Sequence, residues 1–363
     1  MGCAISTTED GRLLLKSKHF PDYRKSLPMM TGKTVAITGC TSGTGYILAK
    51  ACAELGAKVM MLNRTSERAS AALDDITKVA SDSKAPAPKM ISCDLMSFKS
   101  VRVAGEELKK ELSSEGLDAL VNNAGIMGFT DKATEDGCDI QMQTNHTSHF
   151  LLTLLCMPLL EKAAEKRGEA RIVNHSSAAR KMAEPMVNKF DAKYVDKNGG
   201  NLGGDSHEAF KGANFQRYQQ SKLANVIFTY ALDEKLQAKG SKVKALVAHP
   251  GVAPTQLSGG TMKEGAMDDI KMVPACISNL IFASMSQSEE DGTLGILRCT
   301  CDPNVKSREF YGPRGKKEDT QDHDDSEYSG MAELKAEEKL ADKEAQAALW
   351  DMSEKVVGAK FVI

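Results

Sequence analysis

The sequence predicts an α/β fold built on a doubly wound parallel sheet, and three observations carry that prediction. Short apolar runs rich in β-branched residues recur along the chain, segments of helix length separate them, and the first run passes directly into a glycine-rich turn. Strands separated by helix-length connections imply right-handed βαβ crossovers, and so a parallel sheet covered on both faces.

The first strand is Lys33–Thr38, followed by the turn Gly39-Cys40-Thr41-Ser42-Gly43-Thr44-Gly45. Tyr46–Leu55 carries helix formers and an apolar stripe and stops at Gly56. Lys58–Leu62, Lys89–Cys93, Ala119–Asn122, Ala170–Asn174 and Lys242–His249 repeat the short-run pattern. Lys317–Tyr328 is acidic without apolar periodicity and reads as a solvated loop. Met331–Val357 has a helical composition, with Gly358 as its stop and a charged face that reads as solvated. The expected organisation is one domain over residues 32–313, an N-terminal extension (1–31), and an acidic loop with a C-terminal helix (314–363).

With 363 residues, 41% hydrophobic and 26% charged, the chain can bury a large core. Its net charge of −2 gives no footprint for nucleic acid. Nine cysteines at irregular spacings show neither a zinc pattern nor a disulfide framework, which favours a reducing compartment. The apolar runs Phe150–Leu160 and Val273–Met285 are too short to span a bilayer, and no secretory signal is present.

The glycine turn leaves a strand and opens a helix, the place where backbone can approach a pyrophosphate and helix N–H groups can face it. Alone it reads equally well as an ordinary strand–helix turn, and a Tyr four residues before a Lys is an ordinary helix surface. Here Asn122-Asn123-Ala124-Gly125, Asn145, Ser176-Ser177 and finally Tyr218 with Lys222 follow the turn in order. On these motifs the chain resembles the short-chain dehydrogenase/reductase family from about Gly32 to Pro313. The resemblance implies a Rossmann-type domain that transfers hydride to or from a nicotinamide cofactor.

By that resemblance Gly39, Ser42, Gly43, Thr44 and Gly45 approach the pyrophosphate, Thr44 standing where the family usually has Ile or Leu. Asp94 and Leu95 would contact the adenine, and Asn123, Ala124 and Gly125 the wall behind the ribose. Pro250, Gly251 and Val252, with Thr255, would orient the nicotinamide. At the end of the second strand no acid occurs, and Arg64 can pair with a 2′-phosphate, so NADP(H) is the expected cofactor. The other reading of Arg64 is a solvated loop residue. Tyr218 is expected to be the proton donor or acceptor, its pKa brought toward neutrality by Lys222, one helical turn on, and by the oxidised nicotinamide. Lys222 would also hold the nicotinamide ribose, Ser177 would polarise the substrate oxygen, and Asn145 would order a relay water. Ser176 is the neighbouring alternative to Ser177.

Ser177 and Tyr218 stand further apart than is usual in the family, and 182–215 reads as an insertion, either a mobile flap at the substrate mouth or a passive surface segment. His146 and His149 have helical spacing but no carboxylate or cysteine at ligand distance, so no metal is expected. Met1-Gly2-Cys3 fits N-myristoylation at Gly2 with palmitoylation at Cys3, two chains that would anchor the protein to a cytoplasmic membrane face. An unmodified cytoplasmic protein is the other outcome, and a homodimer is left open. Motif placement and the Leu349–Glu354 helix look most like the retinol dehydrogenase, WW-domain oxidoreductase and protochlorophyllide reductase branch, without a WW domain. The expected substrate is an apolar aldehyde, ketone or alcohol. Double-bond reduction of a tetrapyrrole and a nucleotide-sensing interaction protein are the alternatives.

Overall fold

The computed structural model describes residues 15–181, 189–204, 212–253, 286–314 and 329–363. Its strands are β1 (Thr34–Thr38), β2 (Lys58–Asn63), β3 (Lys89–Ser92), β4 (Ala119–Asn122), β5 (Ala170–His175), β6 (Val243–Ala248), β7 (Phe310–Pro313) and β8 (Ala332–Leu334). They form one sheet in the order β3-β2-β1-β4-β5-β6-β7-β8, parallel except for the antiparallel β7–β8 pair. The order reverses between β1 and β4, and that crevice is where an open α/β sheet offers a binding site.

The helices are α1 (Phe20–Ser26), α2 (Gly43–Glu54), α3 (Glu67–Asp82), α4 (Phe98–Leu112), α5 (Ile140–Met142), α6 (Ser148–Arg167), α7 (Ala213–Lys239), α8 (Glu289–Cys301) and α9 (Lys343–Val357). A π-helical turn, Gln143–Thr147, joins α5 to α6. Alternate strand residues divide between two cores, as the two-residue period of a strand requires. Val35, Ile37, Val59 and Met61 pack under α2, α3 and α8, while Ala36, Met60, Leu62 and Ile172 pack under α4, α6, α7 and α9.

Six strands follow the sequence expectation to within two residues at either end, and α2 starts three residues before its expected onset. The C-terminal segment differs. Residues 332–334 extend the sheet as β8, and helix begins only at Lys343, where Asp342 caps the N–H of Ala345. Backbone pairing with β7 overrides local helical composition there. The charged face expected to be solvated is joined by an apolar one. Trp350 stacks on Phe361 with ring centroids 5.0 Å apart, and both meet Phe150 of α6 at 5.3 and 5.2 Å. Residues 332–361 therefore contribute to the sheet and the core.

The start of the described N-terminal extension is clamped by a carboxylate. Asp291, in the first turn of α8, accepts from the Ser17 hydroxyl and from the N–H groups of Lys18, His19 and Phe20. Gly2, Cys3, Thr255, residues 182–188 and 205–211 of the insertion, and the acidic run 317–328 lie outside the described residues.

Candidate active site

The glycine turn is closed by contacts that leave no room for side chains. A Cβ on Gly45 would sit 2.2 Å from the Gly39 carbonyl oxygen and 2.3 Å from Asn123 Nδ2, and Gly39 itself has φ +75°. The helices α3, α4, α8 and α9 each begin with a Ser or Asp whose side chain accepts a first-turn N–H. At α2 Ser42 makes no such bond, and the first turn holds no acid. The N-terminus of α2 is uncapped, as are those of α1, α6 and α7, and its place directly after the glycine turn is what fits a dinucleotide pyrophosphate.

Behind the turn, Asn123 acts as a latch. Its Nδ2 donates to the Thr38 carbonyl at 2.9 Å, and its Oδ1 accepts from Thr44 Oγ1 at 2.9 Å and from His175 Nδ1 at 3.0 Å. The hydroxyl of Thr44 thus has a partner that an apolar side chain would lack. Thr38 Oγ1 accepts from the N–H groups of Asn123 and Ala124, both at 3.0 Å, and lies 2.9 Å from His149 Nε2. Since His149 Nδ1 faces the Asn145 carbonyl oxygen at 3.1 Å, Nδ1 carries the proton and Nε2 accepts from Thr38. Burial, with the nearby Lys222 charge, holds His149 down to about 4 and His175 to about 3, so both stay neutral. His146 meets Ser353 of α9 at 3.0 Å. These histidines fasten packed elements together.

Tyr218 and Lys222 lie one turn apart on α7, both buried. The Ser177 hydroxyl lies near enough to Tyr218 to lower the phenol's pKa, and Ser177 Oγ accepts from Ala179 N–H at 3.1 Å. Ser176 turns away, donating to the Lys222 carbonyl at 2.7 Å, which leaves Ser177 as the serine beside the phenol. Lys222 Nζ donates to the His175 carbonyl at 3.2 Å. Asn145 sits in the π-helical turn. Its amide bonds Ile126 in both directions, at 2.9 and 2.8 Å, and donates to Ser221 at 2.8 Å, which in turn donates to the Tyr218 carbonyl. A Cβ on Gly125 would stand 3.1 Å from both Asn145 Oδ1 and Lys222 Nζ, so these groups meet over that glycine.

Without a dinucleotide, burial governs both groups. Burial pushes Tyr218 up to about 12, the Ser177 hydroxyl only moderating it, and burial pulls Lys222 down to about 8. Lys222 directs its Nζ at a carbonyl and lies 5.7 Å from the Tyr218 ring centre, so it does not offset the desolvation of the phenol. The phenol therefore keeps its proton at neutral pH, the state a proton donor needs.

The remaining predicted residues lie along the same carboxyl edge, away from the Tyr218 cluster. Arg64 is exposed just after β2. Asn63, which the sequence reading passed over, accepts from Cys40 N–H at 2.7 Å, while its buried Nδ2 has no partner among the described residues. Asp94 accepts from Met96 N–H at 2.9 Å and so shapes the turn after β3, and the Leu95 carbonyl accepts from Ser148 at 2.6 Å. After β6 the carbonyls of Pro250 and Val252 are held by Gln287 at 2.7 and 2.9 Å. A polar residue ending a strand is the signal that could have drawn attention to Asn63; nothing local marks Gln287.

The described part of the insertion is held by hydrogen bonds to its surroundings. Asp131 accepts from the N–H groups of Leu202 and Gly204 at 2.8 and 2.7 Å, and the buried Arg217 of α7 donates to the Gly204 carbonyl at 2.8 Å. Phe190 and Tyr194 are in the core. A cavity of about 490 Å3 opens between this segment, α7 and α9, lined by Lys189, Tyr194, Gln216, Gln220 and Glu344. None of Asn145, Ser177, Tyr218 and Lys222 lines it, so its volume says nothing of the reaction.

The short chain dehydrogenase family model matches residues 33–192. Retinol dehydrogenase 14 of Mus musculus is 31% identical over 99% of this chain and 98% of its own length. An uncharacterized oxidoreductase of Schizosaccharomyces pombe is 35% identical over 64% of this chain and 63% of that protein. Among solved structures, an uncharacterized protein from Mycobacterium paratuberculosis superposes with a TM-score of 0.67 at 27% identity, covering 96% of this chain and 100% of that one. No helix among the described residues is long and apolar enough to cross a membrane.

Proposed function

The chain belongs to the short-chain dehydrogenase family, in its retinol dehydrogenase branch, and on that premise we propose that it reduces an apolar aldehyde or ketone with NADPH, or oxidises the corresponding alcohol. Membership makes it an oxidoreductase with a nicotinamide cofactor. The observation that carries the finer reading is the meeting of Asn145 and Lys222 over Gly125, with the Tyr218 ring 5.7 Å from Lys222 Nζ and the Ser177 hydroxyl near the phenol.

The dinucleotide supplies the hydride when bound. Gly39, Gly43 and Gly45 admit its pyrophosphate to the open end of α2, with Ser42 and Thr44 flanking, and Asn123 holds that turn in place. Asn63 and the exposed Arg64 stand where the adenosine ribose would lie. Absence of an acid there, with a guanidinium in its place, supports NADP(H). Tyr218 holds the proton at Oη and gives it to the carbonyl oxygen as that oxygen gains charge; Ser177 donates a hydrogen bond to the same oxygen. Lys222 binds the ribose hydroxyls and returns a proton to Tyr218 through water ordered by Asn145. The apolar substrate class is supported by the retinol named for the mouse relative. Attachment to a cytoplasm-facing membrane through acyl chains on Gly2 and Cys3 belongs to the same reading, and mass spectrometry of the native N-terminus finding neither chain would remove it.

The test is turnover by the purified full chain with NADPH and a panel of apolar aldehydes and ketones. Stoichiometric alcohol formation is the expected result. Nucleotide binding without any carbonyl turnover would point to a sensing protein, and activity only on an illuminated tetrapyrrole would replace the substrate class.

A further inference from the structure

Ser177 is set beside a 3-10 turn, Ala178–Lys181, whose last residues reach away from the cleft. Arg180 in that turn is fully buried, and it donates twice to the Ser177 carbonyl, from its backbone N–H at 3.3 Å and from Nη1 at 3.1 Å. Its Nε donates to Glu338 Oε2 at 3.1 Å, and the two side chains are only 1% and 4% exposed. The guanidinium lies 4.4 Å from the ring centre of Phe310 in β7. Glu338 follows β8, and its own N–H is fixed on the Tyr230 hydroxyl of α7 at 3.2 Å. Lys181 Nζ also approaches Glu338, at 3.9 Å, but it is half exposed and screened by solvent.

We propose that Arg180 and Glu338 are a positioning pair for Ser177, so that chain beyond β8 sets the hydroxyl that faces Tyr218. A buried ion pair is weak evidence for stability, because two desolvated charges give back in Coulomb energy little more than they lose; its better-attested use is to fix one arrangement among several. Here the arrangement fixed is that of the turn that follows Ser177. The Ser177 hydroxyl has one backbone donor, Ala179 N–H, and its carbonyl is gripped by Arg180. With the guanidinium clamped between Glu338 and Phe310, the carbonyl cannot turn, and the hydroxyl on the same residue is held toward the phenol. The pair is separated by 158 positions in sequence, which ties the last segment of the chain to the reaction without placing it in the cleft.

The inference rests on the carbonyl reduction proposed above, and the experiment separates the two. Glu338→Gln and Arg180→Lys are each expected to lower kcat on the order of 10²-fold, the cost of a reacting group displaced by about 1 Å, with NADPH affinity unchanged. The paired apolar replacement Arg180→Met with Glu338→Leu should regain the thermal stability lost by the single variants, since no charge is left buried alone, yet not regain kcat. In a Ser177→Ala background Glu338→Gln should cost nothing further in kcat, because the group it positions is gone. Wild-type kcat in both single variants, recovery of kcat together with stability in the paired variant, or full additivity with Ser177→Ala would each overturn the pair while leaving the proposed reaction standing. A wild-type chain inert toward every carbonyl would remove both.

Discussion

The glycine turn and the Ser177 turn lie along the same edge of the sheet, yet they are held from different distances. The glycine turn is latched by Asn123, Thr38, Thr44 and His175, all on the central strands or in the turn itself. The Ser177 turn depends on Arg180 and, through it, on Glu338 and Phe310 near the end of the chain. The half proposed to face the cofactor is thus held from the central part of the sheet, whereas the half proposed to donate the proton draws on the periphery of the fold. Damage to the first should appear in nucleotide affinity, and damage to the second in turnover at saturating nucleotide.

The largest separation is expected for Ser177→Ala. Removing one donor to a developing oxyanion costs about 10²–10³ in kcat, and NADPH titration should give the wild-type dissociation constant. A parallel loss of nucleotide affinity would merge the two halves. A smaller and opposite effect is expected for Arg64→Ala, with NADPH binding weakened by roughly 1.5–3 kcal/mol, the range for a hydrogen bond to a charged group, NADH binding unaltered, and kcat retained at saturation. Exposure of Arg64 puts the expectation at the lower end of that range. Equal weakening of both nucleotides would show that Arg64 does not read a 2′-phosphate.

The same contrast explains what was legible in the sequence. The strands β1–β6 follow from local patterning, because strand period is a short-range property, while the Gly39–Gly45 turn and the Tyr218–Lys222 pair gained meaning from the order of motifs that resembles the family. The family resemblance already favoured Ser177 over Ser176, and the structure adds the physical reason, the Ser176 hydroxyl being committed to the Lys222 carbonyl. β7 and β8 were missed because each is short and gains its stability from pairing, with local composition arguing for helix at 332–334. Asn63, His175, Gln287, Arg180 and Glu338 were silent for another reason. Their roles come from partners remote in the chain, and a buried Arg or Glu reads in sequence as a solvated one. Spacing places Lys222 on the same face as Tyr218, but only the structure shows that its Nζ also donates to the His175 carbonyl.

Tyr218→Phe measures the central claim most directly, because it removes one oxygen and leaves the ring that packs against Phe215 at 5.8 Å. Single-turnover oxidation of bound NADPH by an apolar aldehyde, read beside an NADPH binding titration, separates chemistry from binding. The account predicts wild-type nucleotide affinity and a hydride-transfer rate lowered by more than about tenfold, equivalent to more than about 1.4 kcal/mol of lost barrier lowering. A variant that binds NADPH and keeps more than about a tenth of the wild-type rate would contradict it, and the proton would have to come from another group.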